Sequence, residues 1–229
     1  MRVEIWSDLV CPWCYIGKRR FESALASFEH RDQVEVVHRS FQLDPTQSGV
    51  EDRDEMLAAK FGLTRERAAR MNEEMAARAA QDGLEYNLSG TVVGNTADAH
   101  RLIHLGAAEG VQDAVVETLY KAHFTDRRSL FDHGSLVELA VEAGLDGDRA
   151  REVLESGKYG AEVAAEHREA QRLGATGVPF FVVDRRYGVS GAQPAQAFTE
   201  VLSRAWADSK PLVVTDGGGE ACADGTCAT

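Results

Sequence analysis

Residues 2–14 read Arg2-Val3-Glu4-Ile5-Trp6-Ser7-Asp8-Leu9-Val10-Cys11-Pro12-Trp13-Cys14. Val3, Ile5 and Ser7 alternate with Glu4 and Trp6, the period of a strand. Pro12 suits the first turn of a helix, where its missing N–H is no loss. The predicted helix runs to about Phe28, with Cys14, Gly17, Phe21, Leu25 and Phe28 at steps of three and four along one stripe. Two cysteines therefore stand at a strand-to-helix junction. A thiol there faces unpaired N–H groups and the positive end of the helix dipole, which favour the thiolate, the nucleophile of disulfide exchange. Cys14 falls one turn further in, on the buried stripe. The spacing therefore predicts an exposed, attacking Cys11 and a shielded, resolving Cys14. Half of a zinc site is the competing reading, but zinc normally takes four ligands.

Outward from this junction, residues 33–43 read as a second strand, stopped by Asp44-Pro45, which completes a βαβ unit with a parallel pair. From about Glu51 to Leu173 the period is helical almost throughout. Helices are predicted over 52–61, 64–81, 96–109, 111–124, 135–143, 148–155 and 159–173, with Thr64 an N-cap and Gly110, Gly134, Gly144 and Gly174 as punctuation. Residues 178–184 and 187–190 read as a hairpin turning at Arg185-Arg186, and Pro194 opens a last helix to about Trp206. The class is α/β, with a ββα unit closing what the βαβ unit begins and a helical block inserted between them.

The chain has 229 residues and a formal net charge of −12, a balance that argues against binding nucleic acid or an anionic membrane. No apolar run reaches the length of a membrane span. The first residues read as a strand rather than a basic then apolar leader, so a cytoplasmic location is expected. In that reducing setting, cysteines are better read as catalytic or metal-binding than as structural staples.

With Ser7-Asp8-Leu9-Val10-Cys11-Pro12-Trp13-Cys14, the chain also carries Phe41-Gln42-Leu43-Asp44-Pro45, Asn95-Thr96-Ala97-Asp98-Ala99-His100-Arg101, Gly177-Val178-Pro179 and Ser190-Gly191-Ala192-Gln193-Pro194. Together these resemble the DsbA family of thioredoxin-fold proteins, and within it the FrnE-like oxidoreductases. The resemblance implies a thioredoxin-like fold with a large all-helical insertion: residues 1–44 and 175–207 form the thioredoxin-like domain, 45–174 the insertion, and 208–229 a tail. It implies that Pro179 is cis and packs beside the redox pair, that the backbone of Val178 pairs with an extended substrate, and that Trp13, Asn95 and His100 lie at the substrate groove. Strongly oxidising relatives hold a histidine where Trp13 stands, so a weaker oxidant is expected. Relatives also hold a buried acid six residues before the first cysteine, where this chain has Ile5. Asp8 is the nearest acid, read first as a capping carboxylate and second as a proton relay.

The implied activity is a thiol–disulfide oxidoreductase or isomerase acting on protein or small-molecule thiols and disulfides, as a monomer or homodimer. No cofactor or metal is expected, beyond a low-molecular-weight thiol as co-substrate. Glutathione-dependent isomerases of the 2-hydroxychromene-2-carboxylate type and kappa-class transferases resemble the same pattern but typically carry serine at the position of Cys11. A metal-binding module using all four cysteines is the non-enzyme alternative. His100 and His104, at i and i+4, share a helix face, but no third ligand is evident. His38 is read as a strand residue with a satisfied ring. Cys222 and Cys227 follow a glycine run and read as an auxiliary redox pair, a partial metal site or an inert tail; the short loop between them favours the first.

Overall fold

The computed structural model of the protein describes residues 1–209. Strand β1 (Arg2–Ser7) lies inside a four-stranded sheet ordered β2-β1-β5-β6, with β2 spanning Glu35–Ser40, β5 Phe180–Val183 and β6 Tyr187–Ser190. β1 pairs β2 in parallel, with Ile5 opposite His38, and pairs β5 antiparallel, with Ile5 opposite Phe181. The β5–β6 hairpin turns through Asp184 and Arg185, both at positive φ.

Both sheet faces are covered. On one, Val3, Ile5, Phe181 and Val183 meet Phe21 and Ala24 of α1 (Pro12–Ala26) and Phe198 and Leu202 of α9 (Ala195–Ser209). On the other, Trp6, Phe180 and Val182 pack with Phe41, Ala170 and Ala175. Ala170 belongs to α8 (Gly160–Arg172), which also ties β1 and β2 by polar bonds. Trp6 Nε1 donates to the Glu166 carbonyl at 3.0 Å, and the Glu166 carboxylate accepts from Arg39 and from the Ser40 N–H, both at 2.7 Å. The alternation in β1 is therefore not an inside–outside pattern: even Glu4 is buried, held by Arg39 and Arg185.

The remaining helices are α2 (Arg53–Phe61), α3 (Arg65–Ala80), α4 (Ala97–Glu109), α5 (Gln112–Phe124), α6 (His133–Glu142) and α7 (Gly147–Ser156). Their ends follow from capping. Asp52 accepts from the N–H groups of Asp54 and Glu55, Thr64 from Arg67, and Asp146 from Arg149. Leu102, Leu105, Leu119, Tyr120, Phe124 and Leu136 form their core, and Tyr15 of α1 stacks into it on Tyr120 at 4.8 Å. α1 is thus shared. Phe21 faces the sheet while Cys14, Tyr15 and Ile16 face the helical block, so the cysteines sit on the seam.

Several sequence expectations are corrected. The insertion is not all-helical, because Glu51–Asp52 (β3) and Val92–Val93 (β4) pair as a short antiparallel ribbon. α1 stops at Ala26, and Phe28 packs in the same core from beyond its end. β2 is shorter than expected because a 3-10 turn takes Arg31–Gln33. β5 starts after Pro179, which offers no N–H to a ladder. Gly134 does not stop a helix; it lies in the first turn of α6, which Asp132 caps. Among the described residues no helix is long and apolar enough to cross a membrane.

Candidate active site

Cys11 is the N-cap of α1, in extended backbone conformation, with Pro12 opening the helix and no side chain capping it. Its N–H donates to the Asp8 carbonyl at 3.1 Å, and the Cys14 N–H donates to the Cys11 carbonyl at 3.0 Å. These bonds wind the loop tightly enough to bring the Cys11 thiol over the first turn.

The expectation of an exposed Cys11 needs correcting. Cys11 is 5% exposed and Cys14 2%, because the helical block closes over the junction. What separates them is access to a cavity: Cys11 lines it and Cys14 does not. Burial, followed by the neighbouring Cys11, pushes the Cys14 thiol well above its ordinary pKa. Burial thus favours the protonated thiol at Cys14.

The Val178–Pro179 peptide is cis, and the Cys11 thiol lies 3.6 Å from the Val178 carbonyl oxygen. Pro179 also rests on α1. A Cβ added to Gly17 would come within 2.8 Å of its Cγ, so only glycine lets the two approach this closely. Trp13 is 36% exposed at the mouth of the site, with the Arg78 guanidinium 6.0 Å from its ring centroid.

The cavity is about 550 Å³ and runs from Cys11, Pro12 and Trp13 to α2 and α3. Its walls include Met56, Leu57 and Phe61 on α2 and Met71, Asn72 and Met75 on α3. Three of the four methionines in the chain line it, and Met71 and Met75 stand one helical turn apart. That pattern was present in the sequence as a flexible apolar wall. Arg53 also lines the cavity, although it is only 4% exposed, and sequence reading missed it. Its Nε donates to Asn72 Oδ1 at 3.1 Å, while Nη1 is buried with no partner.

The other expected site residues are placed differently. Asn95 is fully engaged: Oδ1 accepts from Gln42 and from the Ala97 N–H, and Nδ2 donates to the Pro45 and Gln47 carbonyls. It fastens the loop before α4 and does not line the cavity. His100 is wholly buried and touches the site only through Asp8, whose Oδ1 lies 3.5 Å from His100 Nε2. Asp8 does not cap α1; its Oδ2 accepts from the Leu43 N–H at 2.6 Å. His104 turns to Ser40 and Glu166 instead of joining His100, and among the described residues no three metal-capable side chains converge. His38 pairs with Asp113 at 2.9 Å, a satisfied ring as expected. Ile5, at the position of the relatives' buried acid, is plain core. Cys222 and Cys227 lie outside the described residues.

On α5, His123 is buried, and burial followed by the Arg53 cation brings its pKa down to about 3. Tyr86 donates its hydroxyl to the Pro12 carbonyl at 2.7 Å, fixing the first turn from the opposite wall.

Residues 2–203 match the model of the DSBA-like thioredoxin domain. The chain is 52% identical to a crystal structure described as a probable DsbA oxidoreductase from Streptomyces coelicolor, with a TM-score of 0.88, covering 100% of this chain and 99% of that one. In fold it is similar to the cytosolic disulfide reductase DsbM of Pseudomonas aeruginosa, solved with GSH, at 23% identity and a TM-score of 0.58 over 89% of this chain and 100% of that one. It is similar in fold, too, to a 2-hydroxychromene-2-carboxylate isomerase, at 14% identity and a TM-score of 0.67 over 92% and 100%.

Proposed function

The chain belongs to the DSBA-like thioredoxin domain family, and on that premise we propose that it is a cytoplasmic thiol–disulfide oxidoreductase working through Cys11 and Cys14. The observation that carries this reading is the inequality of the two thiols, one lining a cavity beside the cis Val178–Pro179 bond and the other sealed behind it.

The Cys11 thiolate attacks one sulfur of a substrate disulfide. A Cys11–substrate bond forms, the substrate S–S bond breaks, and the second substrate sulfur leaves as a thiolate that takes up a proton. The mixed disulfide sits against Pro179, where the Val178 carbonyl is available to an extended substrate. Cys14 then loses its proton and attacks the Cys11 sulfur, releasing the remaining thiol and leaving a Cys11–Cys14 disulfide. A dithiol, or two molecules of a small thiol, then reduces the Cys11–Cys14 disulfide and becomes the disulfide itself, returning two electrons to the pair. Cys222 and Cys227 enter this reading as an auxiliary pair for those electrons, and unchanged exchange kinetics in Cys222→Ser would remove them from it.

Reduction of insulin disulfides by the full chain is the test, with Cys11→Ser and Cys14→Ser beside it. The expected result is turnover by the parent, none by Cys11→Ser, and a trapped mixed disulfide on Cys11 in Cys14→Ser. An inactive parent protein overturns the reading. An isomerase of the 2-hydroxychromene-2-carboxylate type has no need of a second thiol, so an activity indifferent to Cys14→Ser would favour that chemistry instead.

A further inference from the structure

Arg53 has no ion-pair partner among the described residues. It opens α2 inside the protein, and among the described residues no carboxylate lies within ion-pairing distance of it. Its own neighbour Asp54 is turned away, accepting from Asn72 Nδ2 at 2.6 Å. Asn72 Oδ1 takes the Arg53 Nε–H, and Nη1 is left buried with no hydrogen-bond acceptor among the described residues. Burying an unpaired charge is costly, and a buried arginine is ordinarily matched by an acid.

The cavity supplies the context. Arg53 lines it together with Cys11, and Met56, Met71, Met75 and Trp13 make an apolar surround in which a charge-assisted hydrogen bond is strong. Its volume of about 550 Å³ suits a small molecule. Other charged groups on the wall are spoken for or wet. Asp8 is committed to Leu43 and faces His100, while Asp44, Glu51 and Lys60 are exposed at the rim. A planar guanidinium edge matches the two oxygens of a carboxylate better than it matches a single thiolate sulfur.

We infer that this cavity seats a small disulfide bearing a carboxylate, the carboxylate held by the open guanidinium edge of Arg53 while its sulfur meets Cys11. This rests on the oxidoreductase reading and narrows it to a substrate class. The chemistry is the exchange already written. Cys11 takes one half of the small disulfide, the other half leaves as a thiol, and Cys14 releases the first half, so the pair gives two electrons and the substrate becomes two thiols. Arg53 makes no bond to sulfur; it fixes the substrate so that its S–S bond faces Cys11.

The experiment uses the full chain, reduced beforehand and freed of reductant, against two small disulfides that differ only in charge: dithiodipropionate and its diamide. The second-order rate constants are each divided by those of a free small thiol with the same disulfide, which removes intrinsic reactivity. The expected result is a preference for the carboxylate of about tenfold or more, the worth of a charge-assisted bidentate contact. Arg53→Gln abolishes that preference, and Arg53→Lys retains part of it.

Equal corrected rates for the two disulfides in the parent protein would overturn the inference without any variant having to fold. Equal losses for both disulfides in Arg53→Gln would also overturn it, leaving Arg53 as a counter-charge to Cys11 alone. If the parent reacts with neither compound nor with insulin, the oxidoreductase reading itself has failed. Reaction with insulin but with neither small disulfide overturns only the substrate class.

Discussion

Asp8 Oδ1 and His100 Nε2 face each other at 3.5 Å near Cys11 and Cys14, both side chains closed off from solvent. Burial, then the hydrogen bond and charge of Cys11, hold the Cys14 thiol up; the Asp8 backbone opposes them, and the Asp8 charge adds a smaller push in the same upward direction. Asp8→Asn keeps an acceptor for the Leu43 N–H and removes the charge. The expected outcome is that the pH midpoint for resolution of the mixed disulfide falls, because a nearby like charge disfavours the thiolate. Stopped-flow release of the second thiol across pH measures it, and slower resolution at every pH would contradict it.

Gly17 and Pro179 set the second prediction. A methyl group at position 17 meets the proline ring at 2.8 Å and Ala192 at 3.5 Å. Overpacking of that kind costs about 1–3 kcal/mol, against about 1 kcal/mol gained in helix propensity. Gly17→Ala should therefore lose up to about 2 kcal/mol in urea unfolding. Because the displaced group carries the carbonyl beside Cys11, insulin reduction should fall by about tenfold or more.

His123 predicts an acid sensitivity. Its folded pKa of about 3 lies below the ordinary 6.5, so the unfolded chain binds this proton first. The neutral buried ring contributes its full stability above pH 6.5, and that contribution drains away as pH falls from 6.5 toward 3, at about 1.4 kcal/mol per pH unit. His123→Leu should flatten the stability curve between pH 6.5 and 5 by about one proton's slope. Urea midpoints at several pH values in that window check it.

Glu166 gives the fourth. Its carboxyl pKa is held down to about 2 by His104, the Ser40 N–H and Arg39, which outweigh burial. A depressed carboxyl stabilises the fold above pH 4.5 and loses that contribution as pH falls toward 2. Glu166→Gln should cost about 2–4 kcal/mol at pH 7, since it leaves Arg39 with one buried partner fewer. The variant should also lose less stability than the parent on acidification from pH 4.5 to 3.

Much of this architecture was legible in the residues. Thr64 marked the start of α3 because its side chain can reach the Arg67 N–H. The βαβ and ββα units followed from alternation and from Pro12 and Pro179. The β3–β4 ribbon was not legible, since two residues are too few to show a period. Cys11 was expected to be exposed because a helix start is usually wet; only the tertiary closure of α2 and α3 buries it. Arg53 escaped for the same reason. A charge in the first turn of a helix reads as solvated surface, and nothing local announces that Thr91 and Asn72 pull it inside. Asn95 was expected at the groove by resemblance; its amide is spent on Gln42, Pro45 and Gln47, about fifty residues away, and on the Ala97 N–H.

The hydrogen bond from the Cys11 thiol to the Val178 carbonyl joins residues 167 positions apart, and β1 finds its antiparallel neighbour only in β5. During synthesis the cysteines leave the ribosome long before that neighbour exists. Contacts this remote in sequence form late, after the cost of closing a very long loop has been met. For most of translation the nascent chain therefore carries two thiols with no proline beside them and no sheet behind the helix. Through that interval the two thiols are open to exchange with any disulfide that reaches them.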